Sequence, residues 1–79
     1  LAVVIRLKRV GGRNQPYFRV VVADSRFPRD GRFIENLGDY DPTKGQESAR
    51  IKRERARYWM EQGAVLSETV KGIFKKLKV

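Results

Sequence analysis

The stretch 19–42, R-V-V-V-A-D-S-R-F-P-R-D-G-R-F-I-E-N-L-G-D-Y-D-P, leaves the chain few choices of fold. Val20, Val21 and Val22 are β-branched, stiff at χ1, and suited to a pleated, half-buried surface. Asp24 and Ser25 end that run, because short polar side chains bond to nearby backbone and favour turns. Pro28 fixes its own φ and pushes Phe27 out of the helical region. Asp30-Gly31 is a tight-turn pair in which the glycine can take positive φ. Phe33, Ile34 and Leu37 then resume a strand-like apolar pattern as far as Gly38. The stretch reads as strand, tip and strand, with Arg26, Arg29 and Arg32 on the tip.

The flanking segments extend this pattern. Over residues 2–10, Val3, Ile5 and Leu7 alternate with Val4, Arg6 and Lys8, giving a strand with one apolar face and one that turns basic. Gly11 to Pro16 is a breaker-rich hairpin turn without the spacing of a phosphate-binding loop. In the second strand, 17–23, Phe18, Val20 and Val22 form the core-facing set, and Tyr17 and Arg19 stand on the other side. The third strand, 32–40, alternates less cleanly, and a bulge near Asn36 or Gly38 would resolve it. Phe33 is expected in the core with Val20 and Val22. Residues 43–48 form a polar connection expected to be mobile when unbound, and 49–51 a short edge strand.

Helical periodicity begins only later. Residues 52–62 carry Ala56, Trp59 and Met60 at helical spacing, which makes Trp59 a core residue before it is a stacking one. Gly63 is placed to terminate that helix, and Ser67 to cap the next one. Val70, Ile73, Phe74 and Leu77 follow at i, i+3, i+4 and i+7, the strongest amphipathic helix in the chain. That stripe is needed to cover a sheet, so a membrane-surface role is not favoured. Strands first and helices last predict an α+β fold. The expected form is one domain over residues 1–79, with an antiparallel or mixed sheet of about three to four strands and both helices on one face.

Composition narrows the function. The chain has 18 basic and 9 acidic residues, no cysteine and no histidine, for a net charge of +9. The absent residue types remove disulfides, the usual zinc sites and the commonest general base, so no cofactor is expected. No apolar run approaches the ~20 residues of a spanning helix, and no signal peptide is visible. The charge excess calls for a polyanionic partner. Residues 1–38 hold eight basic side chains against three acidic ones, and all but one of the eight are arginine, whose planar fork suits phosphate. Arg6, Lys8, Arg9, Arg13 and Arg19 gather around the first two strands, and Arg26, Arg29 and Arg32 ride the tip. Tyr17 and Phe27 are the candidates for stacking on bases. Asp24, Asp30 and Asp41 sit where turns want aspartate, and no paired spacing marks them as a magnesium site. An architectural DNA-binding protein and a magnesium-dependent nuclease are the alternatives on this charge and acid pattern.

The motifs I-R-L-K-R at 5–9, Q-P-Y-F-R-V-V-V-A-D-S-R at 15–26, P-R-D-G-R-F-I-E at 28–35 and L-G-D-Y-D-P at 37–42 resemble one family, as do R-A-R-Y-W at 55–59 and G-A-V-L-S at 63–67. It is the bacterial and organellar small-subunit ribosomal protein sixteen, and the likeness covers essentially the whole chain in order. The resemblance implies a small α+β unit that binds 16S ribosomal RNA, supports subunit assembly and has no enzymatic turnover. The partners it implies are that RNA and neighbouring small-subunit ribosomal proteins, with no membrane and no small-molecule substrate. It implies a cytoplasmic location in the small subunit, or the matrix or stroma of an organelle. Matched position by position, the basic candidates it implies for RNA contact are Arg6, Arg9, Arg19, Arg26, Arg29 and Arg32, with Tyr17 and Ser25 beside them.

Overall fold

The computed structural model of the protein describes residues 2–28 and 31–79. Three strands come first: β1 (Val3–Arg9), β2 (Phe18–Asp24) and β3 (Glu35–Tyr40). Two 3-10 turns, Pro42–Lys44 and Gln46–Ser48, lead to β4 (Arg50–Ile51), α1 (Arg53–Glu61), β5 (Val65–Leu66) and α2 (Glu68–Leu77). The strands form one five-stranded sheet in the order β4-β3-β2-β1-β5. All its ladders are antiparallel except β1–β5, which is parallel and makes the sheet mixed.

The apolar alternation of the strands decides which face receives the helices. Ile5, Val20, Val22, Leu37 and Tyr40 meet Ala56 of α1 and Val70, Ile73 and Phe74 of α2 in one core. Both helices therefore cover the same face, as the order of elements predicts. Ser67 caps α2 by accepting from the Val70 N–H at 3.4 Å. Gly63, at φ +92°, reverses the chain after α1 into β5, a conformation side-chain-bearing residues rarely adopt.

Strand β3 carries the expected bulge. Its pairing with β2 shifts between Val20↔Gly38 and Val21↔Asn36, which leaves Leu37 as the extra residue. The bulge breaks the two-residue period, so Leu37 and Tyr40 both enter the core although they lie an odd number of residues apart. Gly38 is fixed by its neighbour strand, because a Cβ there would fall on the carbonyl oxygen of Arg50.

Three expectations need correction. The sheet has five strands, not three or four, because Val65–Leu66 pairs with β1 where the sequence showed only a link between helices. The third strand starts at Glu35, not at residue 32. Phe33 is not in the core: it is 37% exposed, and the Lys8 ammonium sits 4.8 Å from its ring centroid. One cause underlies the last two. The tip does not project away from the sheet but folds back across the face that the helices leave uncovered. Arg6, opposite Val21 in the ladder, donates from Nη2 to the carbonyls of Phe27 (2.7 Å) and Pro28 (3.2 Å). Val21 and Ala23, on that same face, are each only 1% exposed.

Candidate nucleic-acid interface

The ladder register sets the side chains of the uncovered face in rows. Lys8 lies directly opposite Arg19, Arg19 opposite Asp39, and Asp39 opposite Arg50. Two like charges facing each other across a ladder destabilise it. Only one carboxylate, Asp39, stands in this row. Arg6 occupies the next position of β1 on the same face, and the tip begins beyond it. This face thus holds an excess of fixed positive charge on rigid strands.

Several acidic side chains around the sheet already have partners of their own. Glu35 faces the helices, where its carboxylate accepts from Arg55 Nε (2.8 Å) and Nη2 (2.7 Å) and from Trp59 Nε1 (3.2 Å). The Arg55 bonds, chiefly, hold the Glu35 carboxyl below its usual range. Asp41 caps the first 3-10 turn through the Thr43 N–H (2.9 Å) and hydroxyl (2.7 Å), and those bonds lower its pKa. Tyr17 is half-buried beside Asp39, and partial desolvation followed by its hydrogen bond to that carboxylate raises its phenol above the ordinary value. Asp24 is 3% exposed and is clasped by Arg26, whose side chain is 75% exposed.

The basic residues singled out by sequence fall into three groups. Lys8 and Arg19 share the open row. Ser25, Arg26 and Arg32 lie on the tip, where the Ser25 N–H donates to the Ala2 carbonyl (2.9 Å) and the Arg32 guanidinium stacks 5.3 Å from the Phe27 ring. Arg29 and Asp30 lie outside the described residues. Arg9 and Arg13 belong to the far end of the β1–β2 hairpin. Arg9 has the register of the helix-covered face, and its Nη2 donates to the carbonyls of Gly12 (3.2 Å) and Arg13 (3.4 Å). Arg6 is drawn under the tip, so its guanidinium orders backbone carbonyls instead of standing in solvent. Arg50 was overlooked. The Arg50-Ile51 alternation in a segment expected to be an edge strand is the signal that could have found it.

A small basic α+β domain with one face under helices and the other cationic is built to meet a polyanion, and known sequences say which family it belongs to. The Ribosomal protein S16 family matches residues 9–67. Over all 79 residues the chain is 51% identical to the "Small ribosomal subunit protein bS16" of Carboxydothermus hydrogenoformans, covering 92% of that relative. It is 50% identical over 96% of its length to the protein of the same name from Desulforudis audaxviator, covering 83% of it. With that from Agathobacter rectalis it shares 52% identity over 95% of this chain and 93% of the relative. The chain belongs to the ribosomal protein S16 family.

Proposed function

We propose that this protein is a structural constituent of the small ribosomal subunit that binds 16S ribosomal RNA by clamping its backbone. The observation that carries the reading is the Lys8–Arg19 juxtaposition on the face that no helix covers. Such a pair repels itself in the free protein and is relieved by a bridging phosphate. Folded RNA packs phosphates densely, and a basic wedge between its helices offsets their repulsion. Specificity comes from the shape of the RNA, read by a rigid sheet and the tip with Arg26, Arg29 and Arg32, and not from base edges. The net charge of +9 and the names of the relatives support the same reading. In this role the protein works without turnover or cofactor, in the cytoplasm, beside neighbouring small-subunit proteins.

Titrating small-subunit RNA at several salt concentrations tests the clamp. By analogy with duplex DNA, neutralising about 6–10 phosphates weakens binding about 10³–10⁵-fold between about 50 and 200 mM salt. A flat salt dependence, or equal competition by duplex DNA, would sink the reading. Replacing Arg26, Arg29 and Arg32 together by alanine is expected to weaken binding and to lower the melting temperature modestly, since exposed charges contribute little but the buried Asp24 carboxylate loses its Arg26 partner.

A further inference from the structure

The arginine at the base of the tip is held by a carboxylate two residues before it. Arg26 donates from Nε to Asp24 Oδ1 (3.2 Å) and from Nη2 to Asp24 Oδ2 (2.9 Å), a fork-to-fork pair. Its backbone N–H also donates to Oδ1 at 2.9 Å, so one carboxylate fixes both ends of the residue. The carboxylate itself cannot wander, being 3% exposed at the end of β2. Beyond it the guanidinium emerges into solvent at 75% exposure, with Nη1 and the second N–H of Nη2 directed away from the carboxylate. A free arginine must surrender rotamer freedom to bind a phosphate. Arg26 has surrendered most of it already.

We propose that Asp24 is a positioning residue for RNA binding: it holds the Arg26 fork in the orientation in which its remaining N–H groups take one backbone phosphate. This rests on the RNA-binding reading above. It has a counter-intuitive consequence. By charge alone, Asp24→Asn removes a negative group near the RNA and should tighten binding. By positioning, it should weaken binding. Asparagine keeps the oxygen that receives the Arg26 backbone N–H, so the turn survives, but its amide turns a donor toward the guanidinium and releases it.

The experiment measures affinity and salt dependence for a small-subunit ribosomal RNA transcript with the wild type, Asp24→Asn, Arg26→Ala and the double variant, each checked by thermal melting. The expected result for Asp24→Asn is binding about 3- to 10-fold weaker, the size of ordering one long side chain, with the salt slope unchanged. Arg26→Ala is expected to weaken binding and to reduce the salt slope by about one phosphate. The double variant should bind no more weakly than Arg26→Ala, since Asp24 acts only through that residue. Arg26→Lys leaves Asp24 and its turn bond in place but cannot fork, and it too should bind several-fold more weakly at an unchanged slope. That variant serves if Asp24→Asn does not fold. Tighter or equal binding by Asp24→Asn while Arg26→Ala binds weakly overturns the positioning role and leaves the RNA reading standing. A loss in Asp24→Asn that persists in the Arg26→Ala background overturns it by locating the effect in the fold. No effect from Arg26→Ala overturns it by removing the phosphate contact, and a flat wild-type salt slope removes the RNA reading as well.

Discussion

The two faces of one sheet are made by the same strands, yet they answer to different physics. On the helix side, Ile5, Val20, Val22 and Leu37 are fully buried, and the Glu35 carboxylate beside them is satisfied by Arg55 and Trp59. On the other side, burial stops where the tip ends, and Lys8, Arg19 and Arg50 stand around a single acid, Asp39. The comparison teaches where each kind of residue spends its effect. A substitution on the first face should be read as stability, and on the second as affinity. Even the arginines divide this way: the Arg55 fork docks a helix, and the Arg26 fork is presented to solvent.

The largest departure should come from Ile73→Ala. Its side chain is fully buried, and deleting it is expected to cost about 2–5 kcal/mol in urea unfolding, with RNA affinity unchanged once the folded fraction is accounted for. Next is a matched pair of charge deletions. Arg19→Ala, on the open face, should lower the salt slope of RNA binding by about one phosphate, whereas Arg57→Ala, exposed on α1, should leave the slope alone. Equal slopes for the two would erase the distinction between the faces. The smallest effect concerns pH. The Glu35 carboxyl is held below its usual value by Arg55, so its contribution to stability is complete above the unfolded value near 4.5 and fades as pH falls through the folded one. Glu35→Gln should lose about 1 kcal/mol at neutral pH and show a smaller drop in urea midpoint from pH 7 to pH 3. Some acid sensitivity should remain. Asp24, held down to about 2 chiefly by its Arg26 bonds, loses its share as pH falls from about 4 toward 2.

Much of this fold is legible in the sequence because its signals are local. The alternation of Val3, Ile5 and Leu7, the Gly63 terminator, the Ser67 cap and the 70–77 stripe each report on neighbours within a few residues. Where the sequence misleads, the deciding contact is distant. Phe33 reads as a core residue because it is apolar and next to a strand. Only the return of the tip across the sheet, latched by Arg6, turns it toward Lys8. Strand β5 is a two-residue element whose partner lies at the other end of the chain. For the candidate site, charge alone names the arginines. It does not say that Arg6 and Arg9 are turned onto backbone carbonyls, or that Asp24 holds Arg26.

The parallel pairing of Val4 with Val65 bears on how the protein is made. The β1–β2–β3 ribbon joins strands adjacent in sequence and can assemble early, because local contacts cost little loop entropy. Its apolar face then has no cover, since β5 and α2, which complete the sheet and the core, follow the ribbon in the chain and are synthesised after it. Until they arrive, a growing chain displays Ile5, Val20 and Val22 on an open ribbon, the kind of surface that aggregates. The vulnerable interval in the life of this protein is therefore the stretch of translation between the completed ribbon and the arrival of α2. A variant that slows docking of α2 should show itself first as lost soluble yield.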